Sequence, residues 1–286
     1  MISIFYKPAF LNTASNTFFV SKEVSYKGHG HLQRVSSMIR GNQIAEYLHA
    51  RLNPESGYQA DICIYVKPHV QRGHDFTFEG FKSYLDIIDG WGLVSLLEKH
   101  PEVGVIACSI QDKLKLDEVL NNDVVFIPQH HCNYDREKRT RDGIKTIGMI
   151  GTEDAFAHIP KGLEEELKKR GITLLKYSKF FSRQDIIDFY KQIDLQIVWR
   201  PYRMKLSNPL KIVNASSFGI PTIAYDESVF KEVEGCYIPV LEMEGFLSHL
   251  DMLILNPTLY KEISDRCIKK SEEYHIENVA KLYKRL

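Results

Sequence analysis

Short apolar runs alternate with amphipathic stretches along most of the chain, and this pattern predicts strands and helices that mostly alternate. Runs rich in β-branched residues predict buried strands, and apolar residues three or four apart predict helices. The predicted strands lie at 2–6, 61–66, 82–88, 103–108, 123–127, 144–150, 172–177, 195–199, 222–225 and 237–240. The predicted helices lie at 32–52, 91–99, 111–120, 160–170, 183–192, 209–218, 244–255 and 258–286. Such alternation is typical of α/β folds with doubly wound parallel sheets.

Residues 129–143 interrupt the alternation with a polar, charged segment that lacks periodicity. This segment has the composition of a linker. It predicts an N-terminal Rossmann-like domain over residues 1–135 and a second such domain over residues 143–270. The aromatic stretch around 17–20 has no clear period and stays unassigned.

The composition is that of a globular protein without a general polyanionic partner. Lys and Arg together number 37, as do Asp and Glu, so no nucleic-acid partner is expected. The five cysteines are scattered without Cys-x-x-Cys spacing, which predicts free buried thiols in a reducing compartment. Without a signal peptide or a long apolar span, the chain is expected to be cytoplasmic, with membrane contact at most peripheral.

Residues 194–225 carry the strongest sign of chemistry. A strand at 195–199 is followed by a loop of three basic residues and then by Ser207–Pro209, which predicts a helix start with proline at the first helical position. The helix stops at Gly219, before a second strand. Backbone N–H groups at the helix start and the positive end of its dipole, flanked by cationic side chains, form an anion-binding arrangement.

This unit resembles the donor-site signature of GT-B glycosyltransferases, in which a lysine is followed three residues later by a glutamate and then by Gly-x-Pro. Lys211 and Gly219–Pro221 match the signature, while Asn214 stands in the position of the glutamate. The order of elements along nearly the whole chain is similar to the same family. The resemblance implies two Rossmann-like domains facing each other across a cleft, with a final helix at about 271–286 that packs back on the N-terminal domain.

In that family the lysine meets the donor phosphates and the glutamate holds the ribose. Two phosphates need about two positive partners besides backbone donors, and this loop supplies them. Arg203 is expected to point away. The predicted donor site consists of Gly151, Arg200, Lys205, Ser207, Asn208, Lys211 and Asn214.

A second set of residues around the start of the first long helix is predicted to hold an anionic acceptor or the donor phosphate. Glycine lets the backbone approach a ligand closely, and arginine binds anions. Arg40, further along the helix, fits a solvated helix face as well as it fits this site. The predicted acceptor or phosphate site consists of Gly28, Gly30, His31 and Arg34.

A glycosyl acceptor loses a proton as it attacks, so an inverting enzyme places a carboxylate or histidine beside the hydroxyl. Asp89 follows an apolar run and precedes a Gly-Trp turn, so it is the predicted base, with an N-cap role for the next helix as the alternative. His130 is the second candidate for the base, or else His131, and at most one of them is expected to matter. Asp86 is expected to be structural.

The sequence therefore predicts an enzyme that moves a sugar from a nucleotide-diphosphate sugar to a hydroxyl acceptor, such as a glycan or glycolipid. No metal or other cofactor is expected, because no Asp-x-Asp motif stands at a strand end and the family generally needs none. Two alternatives stay open: a nucleotide-sugar epimerase of the same fold, and a non-catalytic sugar-nucleotide-binding or scaffold subunit. Asn214 in place of glutamate is the main support for the scaffold.

Overall fold

A computed structural model describes residues 15–20, 35–70, 76–139, 143–202 and 204–286. The predicted strand at 2–6, the predicted site residues Gly28, Gly30, His31 and Arg34, and Arg203 lie outside these ranges. The described residues form two parallel sheets, each covered by helices. The predicted two-domain α/β architecture is therefore confirmed.

The N-terminal sheet has six strands, all parallel, in the order β2-β1-β3-β4-β5-β6. Central strand β3 is buried along its whole length, as expected of a strand covered by helices on both faces. The strands are β1 (Asn16–Val20), β2 (Arg51–Leu52), β3 (Ile62–Val66), β4 (Lys82–Asp86), β5 (Gly104–Ala107) and β6 (Val124–Phe126).

The first long helical segment of this domain contains a π-helical stretch. The α-helical turn α1 (Val35–Ser37) continues through π-helical Met38–Gln43 into α2 (Ile44–Leu48). Short π-helical stretches within α-helices are frequent at functional sites. The other N-terminal helices are a 3₁₀ turn (Trp91–Leu93), α3 (Val94–Leu97) and α4 (Ile110–Val119).

The C-terminal sheet has five parallel strands in the order β11-β10-β9-β7-β8. Its strands are β7 (Thr146–Ile150), β8 (Thr173–Tyr177), β9 (Leu195–Val198), β10 (Thr222–Tyr225) and β11 (Tyr237–Val240). Its helices are α5 (Glu153–Phe156), α6 (Leu163–Lys169), α7 (Arg183–Gln192), α8 (Leu210–Ser217), a 3₁₀ helix (Ser228–Val233), α9 (Met243–Leu255) and α10 (Pro257–Ser271).

The end of the chain returns to the N-terminal sheet. A 3₁₀ turn (Glu272–Tyr274) leads into α11 (Ile276–Tyr283), which packs against α2. Ile276, Val279 and Tyr283 belong to the same buried cluster as Phe18 of β1, and the rings of Phe18 and Tyr283 lie 5.5 Å apart. The last helix thus completes the core of the first domain.

The observed elements differ locally from the predicted ones at two strands. The unassigned stretch at 17–20 is part of β1, which pairs with β3 along five residues. Strand β4 ends at Asp86 rather than 88, because the chain turns at Ile88, where φ is +51°. All five cysteines are free and buried, as predicted.

Candidate functional site

The carboxyl ends of the two sheets border a cleft between the domains, where paired α/β domains bind ligands. Its main cavity has a volume of about 390 Å³. Six of the predicted site residues line it together: Asp89, Gly151, Arg200, Ser207, Asn208 and Lys211. His130 and Asn214 line a smaller adjoining cavity of about 120 Å³, which also borders Gly151 and Lys211.

Lys211 lies in the first turn of α8, and two side chains of the C-terminal domain hold its backbone. Its carbonyl oxygen accepts hydrogen bonds from Gln196 Nε2 at 3.0 Å and from the Tyr190 hydroxyl at 3.3 Å. A Cβ atom at Gly151 would lie 3.0 Å from Lys211 Nζ. Glycine at the end of β7 therefore leaves room for the ammonium at the floor of the cleft.

Lys211 is an exposed residue as a whole, although the walls of the cleft displace much of the water around its side chain. This desolvation, together with the positive charge of Arg200, lowers the pKa of Lys211 from its ordinary value to about 8, while Glu227 acts in the opposite direction. Within the described residues, no carboxylate forms an ion pair with Lys211. The cleft therefore holds a cation whose nearest anionic partner can be a ligand.

Arg200, by contrast, has a protein partner. Its guanidinium donates to both carboxylate oxygens of Glu227, with Nε to Oε1 at 2.9 Å, and Nη2 also donates to Ser207 Oγ. A bidentate pair of this kind fixes the orientation of the guanidinium and offsets part of its charge. Arg200 lines the cleft as predicted, but as one half of an ion pair.

The start of α8 differs by one residue from the prediction. Pro209 occupies the N-cap position rather than the first helical position, and α8 begins at Leu210. Asn208 Oδ1 accepts from Leu210 N at 3.1 Å, so the asparagine satisfies the first amide of the helix. The backbone N–H of Ser207 donates to both oxygens of Asp112 at 3.0 Å, which ties this loop to α4 of the other domain.

Lys205 does not reach the cleft. Its ammonium lies over the ring of Trp91, 4.9 Å from the centroid, and its carbonyl oxygen accepts from Lys115 Nζ at 2.8 Å. Both partners belong to the N-terminal domain. The side chain predicted to bind phosphate therefore joins the two domains instead, through a cation–π contact.

Asn214 has a partner that the resemblance did not imply. Its Oδ1 atom accepts from the backbone N–H of Cys132 at 2.8 Å, and the side chain is buried. The oxygen that would hold a ribose hydroxyl is thus bonded to the segment that connects the domains. This geometry favours a structural role at the position where the family has glutamate.

His130 is held in a way that does not suit a general base. Its Nε2 lies 2.9 Å from the carbonyl oxygen of Ile39 and its Nδ1 lies 3.2 Å from that of His131. Burial lowers the pKa of His130 to about 4, and the same cause lowers the pKa of His131 to about 3. Both imidazoles are therefore neutral. The two carbonyl contacts favour a structural role for His130, and its role as base stays a prediction.

Asp89 lines the cleft, and its carboxylate forms a salt bridge with Lys67. The following 3₁₀ turn has Gly90 at its N-cap and no side-chain capping bond, so the alternative N-cap role is not observed. Asp86, as expected, is structural: it is fully buried, accepts from Arg40 Nε at 2.6 Å and from the Tyr283 hydroxyl at 3.2 Å. Arg40 is buried in this pair and not on a solvated face.

Several residues that shape the site do not belong to a recognisable sequence motif. For Gln196, the one indication in the sequence of a role in the site is that a polar residue interrupts an apolar strand. Glu227 and Lys67 are charged residues among many, and only the fold brings them to Arg200 and Asp89.

The described part of the chain contains neither a candidate metal-ligand cluster nor a candidate membrane-spanning helix. No three His, Cys, Asp or Glu side chains within it come together as metal ligands could. None of its helices combines the length and the hydrophobicity that crossing a bilayer requires. That the protein needs no metal for its reaction stays a prediction.

No protein-family model matches the chain. An uncharacterized glycosyltransferase of Haemophilus influenzae is 29% identical over 147 residues, which is 49% of this chain and 38% of that protein. The chain thus spans well under half the length of this curated relative.

Solved structures share the fold at low sequence identity. HepE of Anabaena, in complex with UDP and glucose, superposes with a TM-score of 0.61 at 10% identity, over 95% of this chain and 99% of that one. The pneumococcal O-GlcNAc transferase GtfA, in complex with UDP and GlcNAc, superposes with a TM-score of 0.56 at 11% identity, over 79% of this chain and 56% of that one. TarM superposes with a TM-score of 0.57 at 12% identity, over 78% of this chain and 54% of that one. The chain therefore has the GT-B fold of the glycosyltransferases, as the sequence predicts.

Proposed function

We propose that this protein transfers a sugar from a nucleoside-diphosphate sugar to a hydroxyl group of a second molecule. The observation that carries the proposal is Lys211: an ammonium without a carboxylate partner in the described residues, in the first turn of α8, next to Gly151 in the interdomain cleft. A diphosphate supplies the charge that this position lacks, and it meets the N–H groups at the start of the helix.

The diphosphate and the nucleobase of the donor bind in different cavities. The diphosphate binds in the larger cavity beside Lys211, with the Arg200–Glu227 pair at its edge. The nucleobase binds in the smaller cavity, whose wall includes Phe180, Ile186 and Tyr190. Apolar and aromatic walls with a few polar groups are typical of small-molecule sites.

The proposed reaction breaks the bond between the sugar's anomeric carbon and the diphosphate oxygen. The acceptor oxygen forms the new bond to that carbon, and in an inverting reaction Asp89 takes the acceptor's proton. The electron pair of the broken bond leaves with the diphosphate, whose added charge is offset by Lys211 and by the dipole of α8. Because protein cations do this work, we expect transfer to continue when divalent metals are chelated with EDTA.

The complexes of related folds support a uridine donor as the first one to test. HepE and GtfA were solved with UDP and a sugar. The acceptor of this chain is a sugar hydroxyl by the same reasoning, in a glycan or a glycolipid.

Nucleotide binding tests the proposal directly. We expect UDP or another nucleoside diphosphate to bind, and Lys211→Ala to weaken binding by about 1.5–3 kcal/mol, the contribution of a charged hydrogen bond. Lys261→Ala, which removes an exposed lysine of α10 paired with Asp265, is the matched control and should bind like wild type. Equal affinity of a folded Lys211→Ala protein and wild type, measured by calorimetry, would exclude this site.

A further inference from the structure

Two residues with unusual backbone conformations stand at the carboxyl ends of neighbouring strands. Strands β3 and β4 run parallel in register, with Val66 opposite Asp86. Lys67, directly after β3, has φ +41°, and Ile88, two residues after β4, has φ +51°. A β-branched residue with positive φ is a true outlier, because its side chain crowds the backbone in the left-handed region.

The strain at Ile88 determines where Asp89 lies. The side chain of Ile88 stays buried in the core while its backbone turns sharply, and Gly90 N donates to Ile87 O at 2.8 Å. A Cβ atom at Gly90 would approach that same oxygen to 2.8 Å, so the tight turn requires glycine. The carboxylate of Asp89 is thereby directed into the cleft.

Lys67 reaches the same carboxylate from the neighbouring strand. Its backbone N–H donates to Asp86 O at 2.9 Å, and its ammonium forms the salt bridge to Asp89 Oδ1. Within the described residues, Asp89 Oδ2 has no hydrogen-bond partner. One oxygen is therefore held, and the other is available to a hydroxyl group in the cleft.

Stability does not account for this arrangement. The side chains of Lys67 and Asp89 are 34% and 39% exposed, and ion pairs this exposed contribute little to folding. Left-handed residues cost free energy and persist where the surrounding structure enforces them, most often at functional sites. Lys67 and Ile88 are two such residues beyond the ends of adjacent strands, and the Lys67–Asp89 pair beside them scarcely stabilises the fold. Together they indicate a site shaped for a ligand.

We propose that Lys67 is the positioning residue of the acceptor site, which holds the Asp89 carboxylate oriented toward the acceptor hydroxyl. The inference rests on the proposed transfer reaction. The Lys67 ammonium anchors one oxygen of the carboxylate through the salt bridge. It also keeps the carboxylate on the N-terminal wall, away from the cations of the donor site.

The experiment compares Lys67→Met, Lys67→Arg and wild type with a sugar acceptor. Lys67→Met should lower kcat/KM for the acceptor by about tenfold to a hundredfold, a part of what general-base catalysis contributes. The decrease should appear mainly in kcat rather than in the acceptor KM, while the donor Kd stays within about twofold of wild type. Lys67→Arg retains the charge and should restore most of the rate.

A matched control and a double variant separate positioning from folding. The Lys113–Asp117 pair of α4 has nearly the same exposure, 36% and 41%, so Lys113→Met should leave kcat/KM unchanged. In an Asp89→Asn background, Lys67→Met should have no further effect, because its role acts through the carboxylate.

Two results would overturn the inference while leaving the transfer reaction intact. One is a Lys67→Met protein with the wild-type rate. The other is a Lys67→Met protein whose lower rate is not restored in Lys67→Arg and adds fully to that of Asp89→Asn. Absence of nucleotide binding or of turnover in wild type would instead refute the transfer reaction itself.

Discussion

Nucleotide binding is coupled to the protonation of Lys211. In the free protein its pKa is about 8. A bound diphosphate places negative charge beside the ammonium, which raises that pKa again. Below pH 8 the lysine is charged in both states and affinity stays constant. Above pH 8 the free protein must take up a proton to bind, so affinity falls as the pH rises.

The size of this decrease follows from the pKa. For a group that titrates at 8 and is charged in the complex, affinity falls about tenfold between pH 7 and pH 9. Because Lys211 is an exposed residue as a whole, screening reduces the effect, and we expect about a threefold to tenfold decrease. The phosphate does not contribute, since its last proton is lost near pH 6.

Isothermal titration calorimetry with UDP at pH 7, 8 and 9 measures this decrease. Repeating the titration at pH 9 in two buffers of different ionisation enthalpy counts the protons taken up. Lys211→Arg is the matched variant, because a guanidinium stays charged over this range. Its affinity should be independent of pH.

The reasoning is refuted if wild type and Lys211→Arg show the same pH dependence, whether both are flat or both decline. A decline shared by both variants would come from another group. A flat profile in both would mean that the lysine stays charged in the free cleft.

Three further predictions follow from the contacts of the site. Asp89→Asn should lower turnover by about 10²–10⁴-fold with nucleotide affinity retained, since asparagine cannot accept the acceptor's proton; wild-type turnover in this variant would remove the base from this position. Asn214→Ala leaves the buried N–H of Cys132 without its acceptor and should reduce the free energy of unfolding in urea by about 1–3 kcal/mol; an unchanged midpoint would contradict the structural role. Burial raises the pKa of Asp112 from 3.8 to about 6, so its contribution to stability is present below about pH 4 and is lost as the pH rises through 6. Between pH 4 and 7.5, wild type should therefore lose up to about 3 kcal/mol relative to Asp112→Asn, whereas Asp117→Asn, an exposed carboxylate of the same helix, should follow wild type.

The architecture could be predicted because its signals are local. Helix α7 has the predicted bounds, because the residues of its apolar face and of its Ser182 capping box lie close together in the sequence. The short strand β1 could not be assigned, because what makes it a strand is its pairing with β3, more than forty residues away. Thr, Phe and Val favour a strand by propensity, but a run of four residues without a clear period does not define one.

The same distinction holds in the candidate site. Lys211 and Arg200 follow from a strand, a loop and a helix that are consecutive in the chain. The partners of Lys205 and Asn214, by contrast, lie in other parts of the fold: Trp91 belongs to the opposite domain and Cys132 to the connection between domains. A motif places a residue near a cleft, but contacts between domains decide which way its side chain turns.

The central claim, sugar transfer from a nucleoside-diphosphate donor, is tested most directly by measuring the release of UDP from UDP-glucose and UDP-GlcNAc, with and without sugar acceptors, in wild type and Lys211→Ala. We predict UDP release that depends on the acceptor, yields a glycosylated product and falls by at least tenfold in Lys211→Ala. Binding of UDP without any release of UDP from donors, across a panel that also includes guanosine and thymidine diphosphate sugars, would contradict the account and favour a non-catalytic sugar-nucleotide-binding subunit.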